Sequence, residues 1–576
     1  MNIFSRLFSR FLVKEASSDH PFGSDENLQD LIDDFDSTNS NRYLTAVSGW
    51  LMEIERAEQD LGPEVAYRAL VQLDHCGHEA AADLLDQYLT PSERQTMNDL
   101  TWSTLNSHAT ALFSAYSAIL GKLVPHVQAD DGRIQMARGG VAAFRAWSLQ
   151  KKLQRFRYLT PAPTLWKEAH ELLSLLLKHQ LERVLVVPYA GEPAFTPLRE
   201  YLIGLYAEFL PAGNLTPPQI EILDRFLRTC DSLDCSTELQ DLSTHLIDWA
   251  AATGPKIIKD GDMDGPSIRY CSTVKLHQSL VEFADKLAAG RDIPIWLSAV
   301  PLTPELKTAG IRTVAQHWSS TPPHRHARRR GESSELKVVM GFDRVAHVTR
   351  ISQRVRAQVR ELEAARQREL SPSEFVETKF GNVPVIDNPV TPSLYIFDPE
   401  PGPDKKPVEI LSRIETDDDR VDAEIWHELD ASATGLGATL PALLPRHRVG
   451  ALIALRPAQE LEWRPAIIRR IGRDAANRPG IGVETLGTEP ISAQANLINS
   501  DRAWTDGADG ASGWSDVIVF KTDRNEVLLP HGSFASDKQL DVMSEEGSWH
   551  IQLKTLIERG ADYDRASFAP ADPSGA

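Results

Sequence analysis

Two short stretches of this chain carry side chains able to do chemistry together. Arg325-His326-Ala327-Arg328-Arg329 reads R-x-x-x-R, and Asp430-Ala431-Ser432-Ala433-Thr434-Gly435 reads D-x-S-x-x-G. A guanidinium presents its N–H groups as a fork that fits phosphate oxygens or the O6/N7 edge of a guanine, and its flat face stacks on an aromatic ring. Arg325, Arg328 and Arg329 put such forks within the span of one small ligand. The second stretch supplies the complement. The Asp430 carboxylate accepts from ring N–H groups, the Ser432 hydroxyl donates to a phosphate or braces the turn, and Gly435 lets a backbone come close where a side chain would not fit. This is the chemistry of recognising an anionic, aromatic ligand.

Each stretch also has a plainer reading. Residues 325–330 follow the turn Thr321-Pro322-Pro323 and would serve as a solvated basic linker, while Asp-Ala-Ser-Ala-Thr-Gly is ordinary turn chemistry. The order of elements favours the sharper one. Downstream, Val449 to Leu455, Ala466 to Gly472 and Gly480 to Leu486 read as successive strands. Arginines, D-x-S-x-x-G and strands in this order resemble the ligand-binding signature of PilZ domains, bacterial receptors for cyclic di-GMP. The resemblance implies an antiparallel β-barrel, cyclic di-GMP as ligand with no other cofactor, and Arg325, Arg328, Arg329, Asp430, Ser432 and Gly435 as the residues that hold it. It implies no catalytic residue and no metal.

One departure from that pattern is large. About a hundred residues separate the arginines from Asp430, where the family places a few tens, so an insertion sits inside the barrel, at about 342–410. Glu335 to Met340 reads as a first strand, and Phe342 to Leu370 carries Val345, Val348, Ile351, Val355, Val359 and Leu362 at helical steps. Ser371 to Lys406 is a proline-rich passage, too long for a compact connection. Proximity along the chain therefore does not bring the arginines to Asp430.

The 576 residues exceed what one core usually organises, and two or three domains are expected. A net charge of -20 argues against a nucleic-acid duplex as partner. Positive charge is local: 324–330 hold four arginines and two histidines, and the helix that follows adds Arg344, Arg350, Arg354, Arg356 and Arg360. A small anionic ligand or an acidic partner suits that distribution. Four cysteines form no disulfide framework and point to a reducing cytoplasm. Protease, hydrolase and P-loop signatures are missing, and Gly435-Leu436-Gly437 runs to Leu440 where a dinucleotide fingerprint needs a third glycine; no enzyme is expected.

Residues 1–16 read as a basic amphipathic helix, with Ile3, Phe4, Leu7, Phe8, Phe11 and Leu12 opposite Arg6, Arg10 and Lys14. Such a helix lies on an anionic membrane, docks on a partner, or closes over the chain's own core. An acidic tether over 17–41 follows, then a helical module over 42–320 with a short mixed segment near 246–273. Thr90-Pro91-Ser92-Glu93 and Thr216-Pro217-Pro218-Gln219 are capping boxes, and Leu165, Ala169, Leu172, Leu173 and Leu176 make one core-facing stripe. Residues 321–576 form the β domain, its last strands at Val517–Lys521, Glu526–Leu529, Gln539–Met543 and Trp549–Gln552 completing or flanking the barrel. The expected fold is thus α+β multidomain: an all-helical N-terminal domain and a C-terminal PilZ-like antiparallel barrel with a helical and proline-rich insertion. The expected function is a cytoplasmic signalling receptor for cyclic di-GMP, with a protein partner on the helical module and peripheral membrane contact through 1–14. A nucleotide-independent scaffold with a degenerate barrel, and a membrane adaptor acting through the N-terminal helix, are the alternatives.

Overall fold

A computed structural model describes residues 20–571 apart from 36–37, 90–98, 127–128, 211, 232, 260–264, 292, 299, 301, 320–333, 371–420, 433–434, 459, 474–477, 498–513 and 522–524. The amphipathic segment at 1–14 and the capping box at Thr90 lie outside the described residues. The chain divides into two compact units, 1–328 with 442–449 and 469–481, and 329–441 with 450–468 and 482–576.

The first unit is helical up to residue 229, in helices α1 (Asp25–Asp33), α2 (Ser40–Leu61), α3 (Pro63–Leu89), α4 (Asp99–Leu123), α5 (Asp130–Phe156), α6 (Pro163–Lys178), α7 (Pro197–Ala207) and α8 (Pro217–Thr229). Local chemistry sets the starts. Ser24, Asn39 and Thr196 accept from backbone amides three residues on, and Pro163, Pro197 and Pro217 occupy first turns. At Thr216 the capping box forms, its amide donating to Gln219 Oε1 at 2.9 Å. Helix α1 falls inside the stretch expected to be a tether. Its acidic residues mask an i, i+4 pair, Leu28 and Ile32, which is buried.

The core is aromatic at its centre. The Trp147 ring stacks on Tyr201 at 5.5 Å with planes 5° apart and meets Trp166 edge-on at 5.2 Å. Gly204 permits this, because a Cβ there would stand 2.5 Å from the Trp147 ring. The stripe read on α6 is buried throughout. After α8 come β1 (Cys235–Ser236), β2 (His245–Asp248), β3 (Lys256–Ile257) and β4 (Ile268–Cys271), in sheet order β1-β4-β2-β3, and then α9 (Val274–Ala288), α10 (Ile295–Ser298) and α11 (Pro304–Trp318). Cys235 and Cys271 are cross-strand partners joined by a disulfide, against the expectation of unpaired cysteines.

From residue 335 on, the strands close into two barrels where one was expected. The first contains β5 (Glu335–Met340), β6 (Glu424–Ser432), β7 (Gly435–Thr439), β8 (Leu452–Pro457), β9 (Arg464–Arg473) and β10 (Pro479–Thr485), in order β10-β7-β6-β5-β8-β9. The second contains β11 (Ile491–Leu497), β12 (Ser515–Phe520), β13 (Glu526–Pro530), β14 (Gln539–Ser544), β15 (Gly547–Arg559) and β16 (Tyr563–Pro570), in order β11-β12-β13-β16-β15-β14. The last strands therefore do not complete the first barrel. Strand β16 closes the second barrel by pairing with both β13 and β15. Closure leaves neither barrel an open edge.

Helix α12 (Phe342–Leu370) packs on both barrels. Phe342, Val345 and Val348 share one buried cluster with Leu452 and Trp463 of the first barrel and with Ile518, Leu528 and Tyr563 of the second. The first turns of this helix's apolar stripe are therefore a seam between the barrels.

Candidate functional site

The D-x-S-x-x-G stretch is a β-hairpin. Strands β6 and β7 pair Asp430 with Gly437, Ala431 with Leu436 and Ser432 with Gly435, and the register shifts between Glu428 and Asp430. That bulge re-aims the side chains that follow it. Before it, β6 alternates, with Trp426 and Glu428 buried and Ile425, His427 and Leu429 exposed. Asp430 and Ser432 are half-buried. The Ser432 hydroxyl donates to the Gly435 carbonyl at 2.9 Å. Of its two expected roles, bracing the turn is the one observed here.

Gly435 is required by a backbone, that of β10. A Cβ at this position would stand 2.5 Å from the Val483 carbonyl oxygen. Gly435→Ala is thus expected to force β7 away from β10 and to lower the stability of this unit by about 1–3 kcal/mol. Urea denaturation followed by far-ultraviolet circular dichroism measures the loss, and an unchanged midpoint would contradict the close approach.

Arg325, Arg328 and Arg329 lie outside the described residues, which resume at Ser334. Ser334 is fixed to Glu428 at two points. The Glu428 amide donates to the Ser334 carbonyl at 2.9 Å, and the Ser334 hydroxyl donates to Glu428 Oε2 at 2.7 Å. One residue later the β5–β6 ladder begins, with Glu335 opposite His427. The insertion joins two antiparallel neighbours, β5 and β6. Neither Ser334 nor Glu428 stood out in the sequence. The signal available was Glu428 at an inward position of an alternating strand, a buried charge that demands a partner.

The arginines of α12 serve another purpose than an anionic ligand. Arg350 pairs with Asp516 at 2.9 Å, Arg354 with Glu545 at 2.8 Å, Arg356 with Glu462 at 3.2 Å and Arg360 with Glu489 at 2.7 Å. The Ser352 hydroxyl accepts from the Trp463 amide at 2.7 Å, and Gln353 Oε1 from the Ser492 amide at 3.1 Å. These contacts hold the helix to both barrels.

The helical unit contains a buried polar constellation that the sequence reading did not find. Glu200, fully buried, accepts from Arg145 Nε at 3.2 Å and from Arg228 Nη1 at 2.7 Å. Lys152 pairs with Glu221 at 2.9 Å and with Asp224 at 2.8 Å. Beside it Lys151 donates to the Gly204 carbonyl at 2.7 Å, with its ammonium 3.6 Å from the Trp147 ring centre and 4.4 Å from that of Trp166. Burial pushes the Lys151 amine down to about 7, against the opposing pull of Glu208. A cavity of about 10 Å³ between Lys151, Arg155, Glu208 and Asp224 has room for one water and no larger ligand. Consecutive lysines on an otherwise apolar helix face, with acids and arginines at helical spacing on α8, were the signal for this network.

Comparison with known families speaks to this same helical unit. Residues 26–234 match the family model described as the N-terminal domain of the cyclic-di-GMP receptor FimW. The matched stretch runs from α1 to the residue before β1, so the constellation around Glu200 lies within it. No curated protein matches the chain.

Proposed function

We propose that this protein is a cyclic di-GMP receptor whose ligand lies between the β6–β7 hairpin and the arginine segment 325–329, on a first barrel of the PilZ kind. The observation that carries this reading is the two-point attachment of Ser334, which follows the arginine segment in sequence, to Glu428, two residues before Asp430. The likeness of residues 26–234 to the N-terminal domain of a cyclic-di-GMP receptor supports the same ligand from an independent part of the chain. In this reading the arginines bind phosphates and guanine edges, Asp430 accepts from a guanine, and Ser432 with Gly435 keeps the hairpin tight. The segment that carries the arginines also links the helical part of the chain to β5. A ligand held there would couple binding to partner recognition without catalysis.

Arg329→Ala and Asp430→Ala each remove a charge-assisted contact of about 1.5–3 kcal/mol. Affinity for cyclic di-GMP is therefore expected to fall by one to two orders of magnitude in either variant, with the melting temperature retained. A folded Asp430→Ala protein that binds as the parent does would place the site elsewhere.

A further inference from the structure

The hairpin has a neighbour that neither motif contains. Strand β7 lies between β6 and β10, and the Gly435 position faces β10 so closely that its Cβ would stand 3.9 Å from the Glu484 Cα. With strands roughly 4.8 Å apart, Asp430 and Glu484 flank β7 at a separation on the order of 10 Å. Glu484 is 30% exposed at its side chain.

The second barrel reaches Glu484 with an arginine. Arg565 of β16 is 5% exposed. Its Nε and Nη2 both point to Glu526 Oε2 at 2.7 Å, which leaves Nη1 facing Glu484 Oε1 at 3.7 Å. A guanidinium held by one carboxylate and aimed at a second helps to fix the second one's position. Arg565 stands apart from the arginines of α12, whose partners join the helix to each barrel; it links β16 directly to the strand beside the hairpin.

We propose that Glu484 is a guanine-recognising residue of the hairpin site and that Arg565, supplied by the second barrel, is its positioning residue. This rests on the receptor reading above and extends it to base specificity. An ionised carboxylate accepts two hydrogen bonds from guanine, from N1–H and from the N2 amine. Adenine offers a donor at N6 but a lone pair at N1, which the carboxylate repels. Glu484 thereby selects a guanine dinucleotide over the adenine analogue, and it gives the second barrel a share in the site.

The test is isothermal titration of the full chain with cyclic di-GMP and, separately, cyclic di-AMP, using the parent and the Glu484→Gln, Arg565→Gln and Arg565→Lys variants. Glu484→Gln is expected to reduce the preference for the guanine ligand at least tenfold. Arg565→Gln should reduce it several-fold, and Arg565→Lys should recover part of the loss. Melting temperatures measured alongside separate this from a structural role. An Arg565→Gln variant that melts earlier but keeps the parent's preference would overturn the positioning role, and an unchanged preference in Glu484→Gln would overturn the inference as a whole. A parent chain that binds neither dinucleotide would instead remove the receptor reading, a result distinguishable from failure of the variants.

Discussion

Glu200→Ala is expected to destabilise the helical unit by about 3–5 kcal/mol, the loss typical when one member of a buried ionic network is removed. The Glu200 carboxylate is fully buried and takes one arginine from each side, Arg145 from α5 and Arg228 from α8. Its loss leaves two guanidiniums with less compensation. Arg145 retains Glu192, and Arg228 retains Asp224 at 3.5 Å, so the network loosens without vanishing. A domain is stable by only about 5–15 kcal/mol, so a loss of this size reaches a large fraction of the total. Glu200→Gln, which keeps the shape and one acceptor, should lose less. Urea midpoints of the two variants check the order, and equal losses would mean that packing, not charge, dominates at this position.

The second large effect is acid sensitivity. His108 on α4 is buried and reaches only the Ser48 hydroxyl, at 3.4 Å from Nδ1. Burial pushes its imidazole down to about 3 from 6.5, with a small further push from His78. Burial likewise pushes His245 down to about 4. Between pH 6.5 and these values the unfolded chain takes up protons that the folded chain refuses. Stability therefore falls as pH falls, by roughly 1.4 kcal/mol per pH unit for each such histidine. Above pH 6.5 both states are neutral at these positions and the dependence disappears. Denaturation at pH 7.5, 6.0 and 5.0 should show this slope, and His108→Gln should remove the share of one proton. A variant with the parent's slope would show that His108 is protonated without cost.

Much of the β domain was visible in the sequence, for identifiable reasons. Strand β5 and helix α12 were read at the residues where they lie, because each has one clean period, two in Glu335–Met340 and three to four in Phe342–Leu370. Strands β11 and β16 were missed. The buried face of β11 is Ile491, Ala493 and Ala495, and alanine carries little hydropathy signal. In β16 the buried residues include Asp564 and Arg565, which are held by Arg559 and Glu526. A pattern of apolar and polar residues cannot register a strand whose interior is ionic. Without those two strands, the second barrel was invisible as a unit.

The candidate site was half legible. Asp430, Ser432 and Gly435 were read as a turn and lie on the paired strands of one hairpin, and the sequence could not show that Ser334 is tied to Glu428, because pairing register is a tertiary fact. In the helical unit the opposite happened. Its charges were not singled out, and the structure buries Lys151, Lys152, Arg155 and Glu200 within the stretch that resembles the receptor family.

The most direct test of the central claim is isothermal titration of the purified full chain with cyclic di-GMP, with GTP as control and Asp430→Ala alongside. Saturable binding at micromolar or tighter affinity, specific for the cyclic dinucleotide and weakened in the variant, is the result this account predicts. Absence of both heat and thermal shift at high ligand excess would contradict it, leaving the first barrel as a scaffold beside a helical unit that would then be the place to look for function.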